Sequence, residues 1–287
     1  MRELEIPYGV GWELLVVDNG SSDGTARLIE AWRSRLPLKP VHQPRPGLSN
    51  ARNAAVAAAS GRYILWTDDD VRIPSRWIEC YRQGFRDHPD AAVFGGPIVA
   101  QAEAPVCAWF ADRMRRWPIS SVVAARDLGP SERRLEPRAA AVPWGANYAI
   151  RTSEQRRLLY DSALDFGEET DLVGRLLAGG SSGWWLPQCG VTHVIPSERQ
   201  SRAYIAAYFR RAGRAAAYLE RRSPTGDRRL LGADAWTSRP TSLVVVASLA
   251  SAALGRAAWA AKRRDLALRA LARKHYLAGI LDFRART

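Results

Sequence analysis

The stretch from Gly61 to Val71 limits this chain to few folds. Tyr63-Ile64-Leu65-Trp66 is a short apolar run of the kind that forms a buried strand. It ends abruptly in Asp68, Asp69 and Asp70. Three adjacent carboxylates repel one another and cannot be buried without compensation. At the carboxyl end of a strand in an open α/β sheet they sit where such sheets bind ligands. A divalent cation would neutralise them, with Asp68 and Asp70 flanking Asp69 so that two carboxylates share one ion. Hard carboxylate oxygens suit magnesium or manganese. Taken alone, the same residues also read as an acidic surface turn.

Two strand-loop-helix units precede this stretch. Trp12 to Val17 predicts a buried strand running into Asp18-Asn19-Gly20-Ser21-Ser22-Asp23-Gly24-Thr25, which is turn and cap chemistry. Ala26 to Arg35 then carries Leu28, Ile29 and Trp32 at helical spacing. Asp18 reads either as a capping residue or as an acceptor for a base or ribose. In the second unit, Pro40 to Gln43 is a short strand, Pro44 to Gly47 a rigid turn, and Leu48 to Ala59 an alanine-rich helix. Ser49, Asn50, Arg52 and Asn53 in its first turn offer donors to an anion, and Arg52 is placed to reach a diphosphate. Gly61 ends the helix.

These three motifs, in this order and at this spacing, resemble glycosyltransferase family 2: Asp18 to Thr25, Gly47 to Asn53, and Gly61 to Asp70. The resemblance continues through Val93-Phe94-Gly95-Gly96-Pro97, Pro143-Trp144-Gly145-Ala146-Asn147-Tyr148 and Gly167-Glu168-Glu169-Thr170-Asp171-Leu172, and covers residues 12 to 200. It implies a GT-A-like, Rossmann-like fold, a mostly parallel sheet flanked by helices. The implied reaction is inverting transfer of a sugar from a nucleotide-diphosphate sugar to an acceptor hydroxyl. The implied donor site comprises Asp18, Asp23, Arg52, Asp68, Asp69, Gly95, Gly96, Trp144 and Asn147. The implied metal, manganese or magnesium, would be held by Asp68 and Asp70, with His193 completing the shell. Glu169 stands where the family places its catalytic base, with Glu168 and Asp171 as rivals. Family members normally begin with a further apolar strand and helix. Without them the sheet is expected to carry an unfilled central position, flanked by two strands with unpaired edges.

Further along, Arg76 to Arg86 reads as a helix and Ala91 to Phe94 as a strand. Trp109, Phe110, Met114 and Trp117 read as a core face or the lining of an acceptor cleft. Arg126 to Arg138, charged and proline-bounded, reads as a mobile loop. Lys and Arg number 42 against 29 Asp and Glu, a formal charge of +13 that suits phosphate-rich partners. No nucleic-acid motif accompanies the charge, so nucleic acid is not expected among them. Cys80, Cys107 and Cys189 are odd in number and widely spaced, showing no disulfide framework and fitting a reducing, cytoplasmic setting. No apolar core of a signal peptide is visible in the first residues.

From Arg199 to Arg222 aromatic and apolar residues line one side of a helix and arginines the other, as in a membrane-surface segment or a helix packed on the catalytic domain. Ser223 to Asp227 reads as a break. Leu243 to Ala261 is apolar apart from Arg256 and reads as a helix lying on the bilayer, or as a span. Lys262, Arg263 and Arg264 suit anionic headgroups. The expected organisation is a catalytic domain over 1–200 and a basic helical extension over 201–287. The extension would hold the protein at the inner face of a membrane, near a lipid-linked or cell-envelope glycan acceptor. The rival readings are a nucleotidyltransferase on a similar scaffold and an inactive relative acting as a basic binding protein.

Overall fold

The computed structural model describes residues 3–138, 141–222 and 237–286. The chain opens with β1 (Leu14–Asp18), α1 (Thr25–Trp32), β2 (Leu38–His42), α2 (Leu48–Ala58), β3 (Tyr63–Trp66), β4 (Val71–Arg72) and α3 (Trp77–Asp87). It continues through β5 (Val93–Gly95), β6 (Ile98–Ala102), α4 (Ala108–Ala111), α5 (Ile119–Val122), β7 (Arg133–Arg134), β8 (Tyr148–Arg151), α6 (Thr152–Arg157), α7 (Glu168–Ala178), β9 (Gly183–Trp185) and β10 (Val191–Ile195). A 3-10 turn at Ser197–Gln200 leads to three long helices, α8 (Arg202–Arg222), α9 (Thr241–Ala260) and α10 (Arg264–Ala285). The break expected at Ser223 to Asp227 lies outside the described residues.

The protein is α/β, with mixed sheets where a mostly parallel one was expected. The central sheet has the order β3-β8-β5-β9-β7, in which only the β5–β9 pairing is parallel. β10 pairs parallel with β6 and antiparallel with β4. β1 and β2 form a separate parallel pair. Among the described residues β1 pairs only with β2, and β3 only with β8, so each leaves one edge unpaired.

Strand alternation sorts the central sheet onto two cores. Ile64, Trp66, Val93, Tyr148, Ile150 and Trp185 enter one cluster, under α2 and α7. Their chain neighbours Tyr63, Leu65, Phe94, Ala149 and Trp184 enter the other, under α3. With both faces covered, the sheet is interior, which is why its strands read as continuous apolar runs. The segment Arg126 to Arg138 is not simply a loop: Arg133 and Arg134 form β7, the edge strand on β9, and Arg126 bridges to Ile98.

The C-terminal helices share a third core with the preceding part of the chain. Phe110, Ile119, Val122 and Ile195 pack there with Ile205 and Phe209 of α8 and Leu268 and Ala272 of α10. α8 crosses α10 with backbones nearly touching: a Cβ on Gly213 would lie 1.9 Å from the Tyr276 carbonyl oxygen, and one on Gly279 2.0 Å from that of Arg210. Four of the six arginines of α8 pair with carboxylates: Arg210 with Asp282, Arg211 and Arg214 with Asp165, and Arg222 with Asp161 and Asp171. Of the two readings of 199–222, the packed helix matches the structure: the apolar side of α8 is filled by protein and much of its basic side faces carboxylates.

Cys80 and Cys189, 5.5 Å apart between Cα atoms, form a disulfide, and Cys107 is exposed. The expectation of no disulfide is thereby overturned. Sequence spacing says nothing about Cα proximity across a fold.

Candidate active site

Asp68, Asp69 and Asp70 follow β3 at its carboxyl end and turn into β4. Pairing of β4 with β10 sets His193 opposite Val71, and the Val194 amide donates to the Asp70 carbonyl. That register delivers the His193 ring to Asp70. Its Nδ1–H donates to the Val123 carbonyl, leaving Nε2 3.3 Å from Asp70 Oδ2. Arg199 Nη1 lies 2.8 Å from the same oxygen. Burial pushes the Asp70 carboxyl up, but the His193 hydrogen bond and the charges of His193 and Arg199 outweigh it, so its pKa is lowered. Burial lowers the His193 pKa, but Asp70 and the Val123 carbonyl more than offset it, so the net shift is upward. Asp70 Oδ1 is buried and has no hydrogen-bond partner. Asp69 is exposed.

Arg52 is the second focus. It is 5% exposed, and its Nη1 donates to Glu168 Oε1 at 2.6 Å. Asp68 Oδ1 lies 3.7 Å and Glu169 Oε2 3.9 Å from the same guanidinium. The Trp66 and Tyr160 rings lie against it at 5.9 and 5.5 Å, and a Cβ on Gly145 would come within 2.7 Å of Nη2. Burial opposes its charge, but Tyr148, Glu168, Tyr160 and Glu169 outweigh that and raise its pKa. Chiefly through burial, the Asp68 carboxyl titrates above its ordinary range.

The acids of α7 separate cleanly. Gly167, in the left-handed region at φ 70°, starts the helix and sends Glu168 inward to Arg52. Asp171 is buried with one oxygen on Arg175 and the other on Arg222. Glu169 has no guanidinium at hydrogen-bond distance. Burial first, then the charge of Glu168, push its pKa to about 7, with Arg52 opposing. A carboxylate poised there can accept a proton at neutral pH.

Several residues expected at the donor site already have protein partners. Asn147 is fully buried, its Oδ1 accepting from Trp77 Nε1 and the Tyr81 hydroxyl and its Nδ2 donating to the Pro97 and Cys189 carbonyls. No capacity remains for a sugar. Gly95 and Gly96 are small because protein crowds them: added Cβ atoms would lie 2.2 Å from Pro143 Cβ and 2.3 Å from the Cys189 oxygen. The first turn of α2 is likewise occupied, Ser49 by the Leu164 carbonyl, Asn50 by Pro46 and Asn53 by Tyr160. Arg52, bound by Glu168, is not an open cation for a diphosphate. Asp23 accepts from the Thr25 amide at the start of α1 and is exposed. Asp18 accepts from the Ser21 amide and faces His42 at 3.8 Å. Trp144 is half-buried with Arg126 over its ring at 4.8 Å. Asp171, a rival for the base, has both carboxylate oxygens on arginines.

Among the described residues, no group of three or more His, Cys, Asp or Glu side chains is gathered to hold a metal ion. His193 stands in the structure as the ion-pair partner of Asp70, not as a member of an assembled ligand set. The residues nevertheless fit a hard cation in chemistry: Asp68 and Asp70 feel one another's charge, and Asp70 Oδ1 is an orphaned acceptor. Arg199 and Gly145 belong to the site and were missed from sequence. Arg199 follows Pro196 in a stretch with no motif, and Gly145 entered only as part of the Pro143 to Tyr148 motif, with no role of its own.

Comparison with known proteins is consistent with this geometry. The family model for glycosyl transferase family 2 matches residues 5–153. Succinoglycan biosynthesis protein ExoM of Rhizobium meliloti is 24% identical, over 99% of this chain and 87% of its own length. The glucosyltransferase WfgD of Escherichia coli, which transfers from UDP-Glc to a GlcNAc-diphosphoundecaprenol, is 42% identical over 23% of this chain and 26% of its own. A mannosyltransferase of Pyrobaculum calidifontis, solved with GDP-Man and Mn2+, superposes with a TM-score of 0.61 at 17% identity, over 96% of this chain and 78% of that one. TarS of S. aureus, residues 1–349, superposes at 0.51 and 13% identity, over 100% and 86%. At these identities the solved structures show a shared GT-A fold.

Proposed function

The chain belongs to glycosyl transferase family 2, and from that membership we propose that it transfers a sugar from a nucleotide-diphosphate sugar to an acceptor hydroxyl with inversion. The observation that carries the reading is Glu169: of the three acids opening α7, it alone is left without a bound guanidinium, and its pKa sits at about 7. Glu169 takes the proton of the acceptor hydroxyl. The acceptor oxygen attacks the anomeric carbon from the face opposite the leaving group, the bond from that carbon to the diphosphate oxygen breaks, and the nucleoside diphosphate departs.

Asp68 and Asp70 would hold a manganese or magnesium ion, with His193 beside them; when bound, such an ion supplies neutralising charge to the departing diphosphate. Arg52 lies beside Asp68 but is bound by Glu168, so Arg199, 2.8 Å from Asp70, is the cation that would contact the diphosphate. Arg52 ties the aspartate-bearing and glutamate-bearing elements together and binds Glu168 next to Glu169. Asp18, at the end of β1, would receive the base or ribose, and Trp144 would border the sugar. Family membership favours this over nucleotidyl transfer. A lipid-linked acceptor is consistent with the substrate in the WfgD name.

The test is transfer from a panel of nucleotide sugars with manganese, using the full chain. Glu169→Gln should abolish transfer while donor binding persists, and Asp70→Asn should weaken donor binding. Undiminished transfer by either variant refutes its assigned role, and release of pyrophosphate in place of nucleoside diphosphate refutes the reaction.

A further inference from the structure

α9 is arranged inside out. Its buried residues are Val244, Ser251 and Ala258, seven apart, which is a narrow seam along one side of the helix. Ser251, a polar residue, lies in that seam and donates to the Ala247 carbonyl. The large apolar residues point away from the protein: Val246 is 62%, Leu249 66% and Leu254 48% exposed, with Leu243 and Val245 also exposed. A helix stabilised only by folding of this chain would present the opposite pattern.

The charges around this face name its partner. Arg239 precedes the helix, Arg256 lies within it, and Lys262 and Arg263 follow it, all exposed. No acidic residue occurs between Arg239 and Arg264. A like-charged second copy would be repelled, whereas anionic headgroups would be attracted.

The helix is long and apolar enough to cross a membrane by length and composition. Its packing argues against that orientation. α10 runs back along the whole of α9, with Arg284 reaching Thr241, Ser248 reaching the Lys274 carbonyl, and Gly255 against Ala270. A span would carry Arg269, Arg273 and Lys274 of α10 into hydrocarbon, which is strongly unfavourable.

We infer that α9 is a monotopic docking face, lying in the plane of an anionic phospholipid bilayer with Val246, Leu249 and Leu254 in the headgroup–acyl boundary. Binding of the bilayer does not depend on the proposed reaction. Its purpose does: it would hold the acceptor-hydroxyl site at the surface that carries a lipid-linked acceptor.

The experiment is co-sedimentation of the full chain with phosphatidylcholine vesicles, with and without about one-third phosphatidylglycerol. The chain should bind the anionic vesicles, and added salt should weaken binding. Val246→Glu with Leu249→Glu should lower affinity at least about tenfold, with an unchanged melting temperature because both side chains are exposed. Lys262→Glu or Arg263→Glu should each weaken it by about fivefold or more. Alkaline carbonate should strip the bound protein. Equal binding by the double variant overturns the inference, as does resistance to carbonate, which would mean a span. A dimer abolished by the double variant, without vesicle binding, also overturns it. Transfer to a soluble acceptor, measured in parallel, separates the two proposals: its absence from every variant defeats the reaction and leaves the lipid result standing.

Discussion

Replacing Arg52 by methionine tests the organisation of the site most directly. The guanidinium is buried, with Glu168 bound at 2.6 Å and Asp68 and Glu169 at 3.7 and 3.9 Å. Glu168 is itself 3% exposed, so water cannot replace its partner. Removing one member of such a pair leaves a buried charge uncompensated and costs about 3–5 kcal/mol. That is a large part of the roughly 5–15 kcal/mol by which domains are stable. For a chain of this size it lowers the melting temperature by on the order of 10 °C. Denaturant unfolding of wild type, Arg52→Met, Glu168→Gln and the double variant supplies the cycle. The double variant should be more stable than Arg52→Met alone, because it removes the stranded carboxylate. Lysine at 52 should recover only part of the loss, lacking the flat surface that lies against Trp66 and Tyr160. A loss below about 1 kcal/mol for Arg52→Met would mean that the pair behaves as an exposed ion pair, and the account of a pinned Glu168 would fail.

The other tests probe separate residues. Burial raises the Glu169 pKa to about 7, so transfer should rise with pH through that value, in a rate profile that Glu169→Gln removes. The same shift favours the protonated folded state: its stabilising contribution is present below the ordinary carboxylate range and is lost as pH rises through about 7. Glu169→Gln should therefore unfold later than the parent at about pH 8, by about 1–3 kcal/mol, a gain in stability paired with a loss of activity. Asn147→Leu should cost about 3 kcal/mol or more by stranding Trp77, Tyr81 and two carbonyls, measured by thermal melting. Gly213→Ala should displace α8 from α10, since its Cβ would lie 1.9 Å from a carbonyl oxygen; a change under about 1 kcal/mol in melting experiments would contradict that crossing.

The strands and helices were legible wherever one period dominated. Tyr63 to Trp66 and the acids after it fell where expected, and α2 and α3 matched their predicted spans within a residue or two. Residue type was a weaker guide where one type serves two purposes. Glycine at 95 and 96 permits a ligand or a neighbouring chain to approach, and only Pro143 and the Cys189 carbonyl decide between them. Asn147 has the donors and acceptors of a sugar contact, and four protein groups use them all. Cys80 and Cys189 lie 109 residues apart, and nothing local announces their meeting.

Amphipathicity has the same limit, and the two C-terminal helices show why. α8 has the stronger amphipathic pattern, and its arginines look like a membrane's complement. Asp161, Asp165 and Asp282 lie far away in sequence and answer them within the protein. α9 has almost no polar face, so its sequence admits a span beside a helix lying on the bilayer, yet α10 lies against it carrying charges that cannot follow it across. The acids of α7 obey one rule with these helices. Glu168 and Asp171 are neutralised by Arg52 and Arg222, 116 and 51 residues distant. Composition counts charges, but the fold decides which of them keep no bound partner. At the candidate site these are Glu169, with no guanidinium at hydrogen-bond distance, and the orphaned oxygen of Asp70.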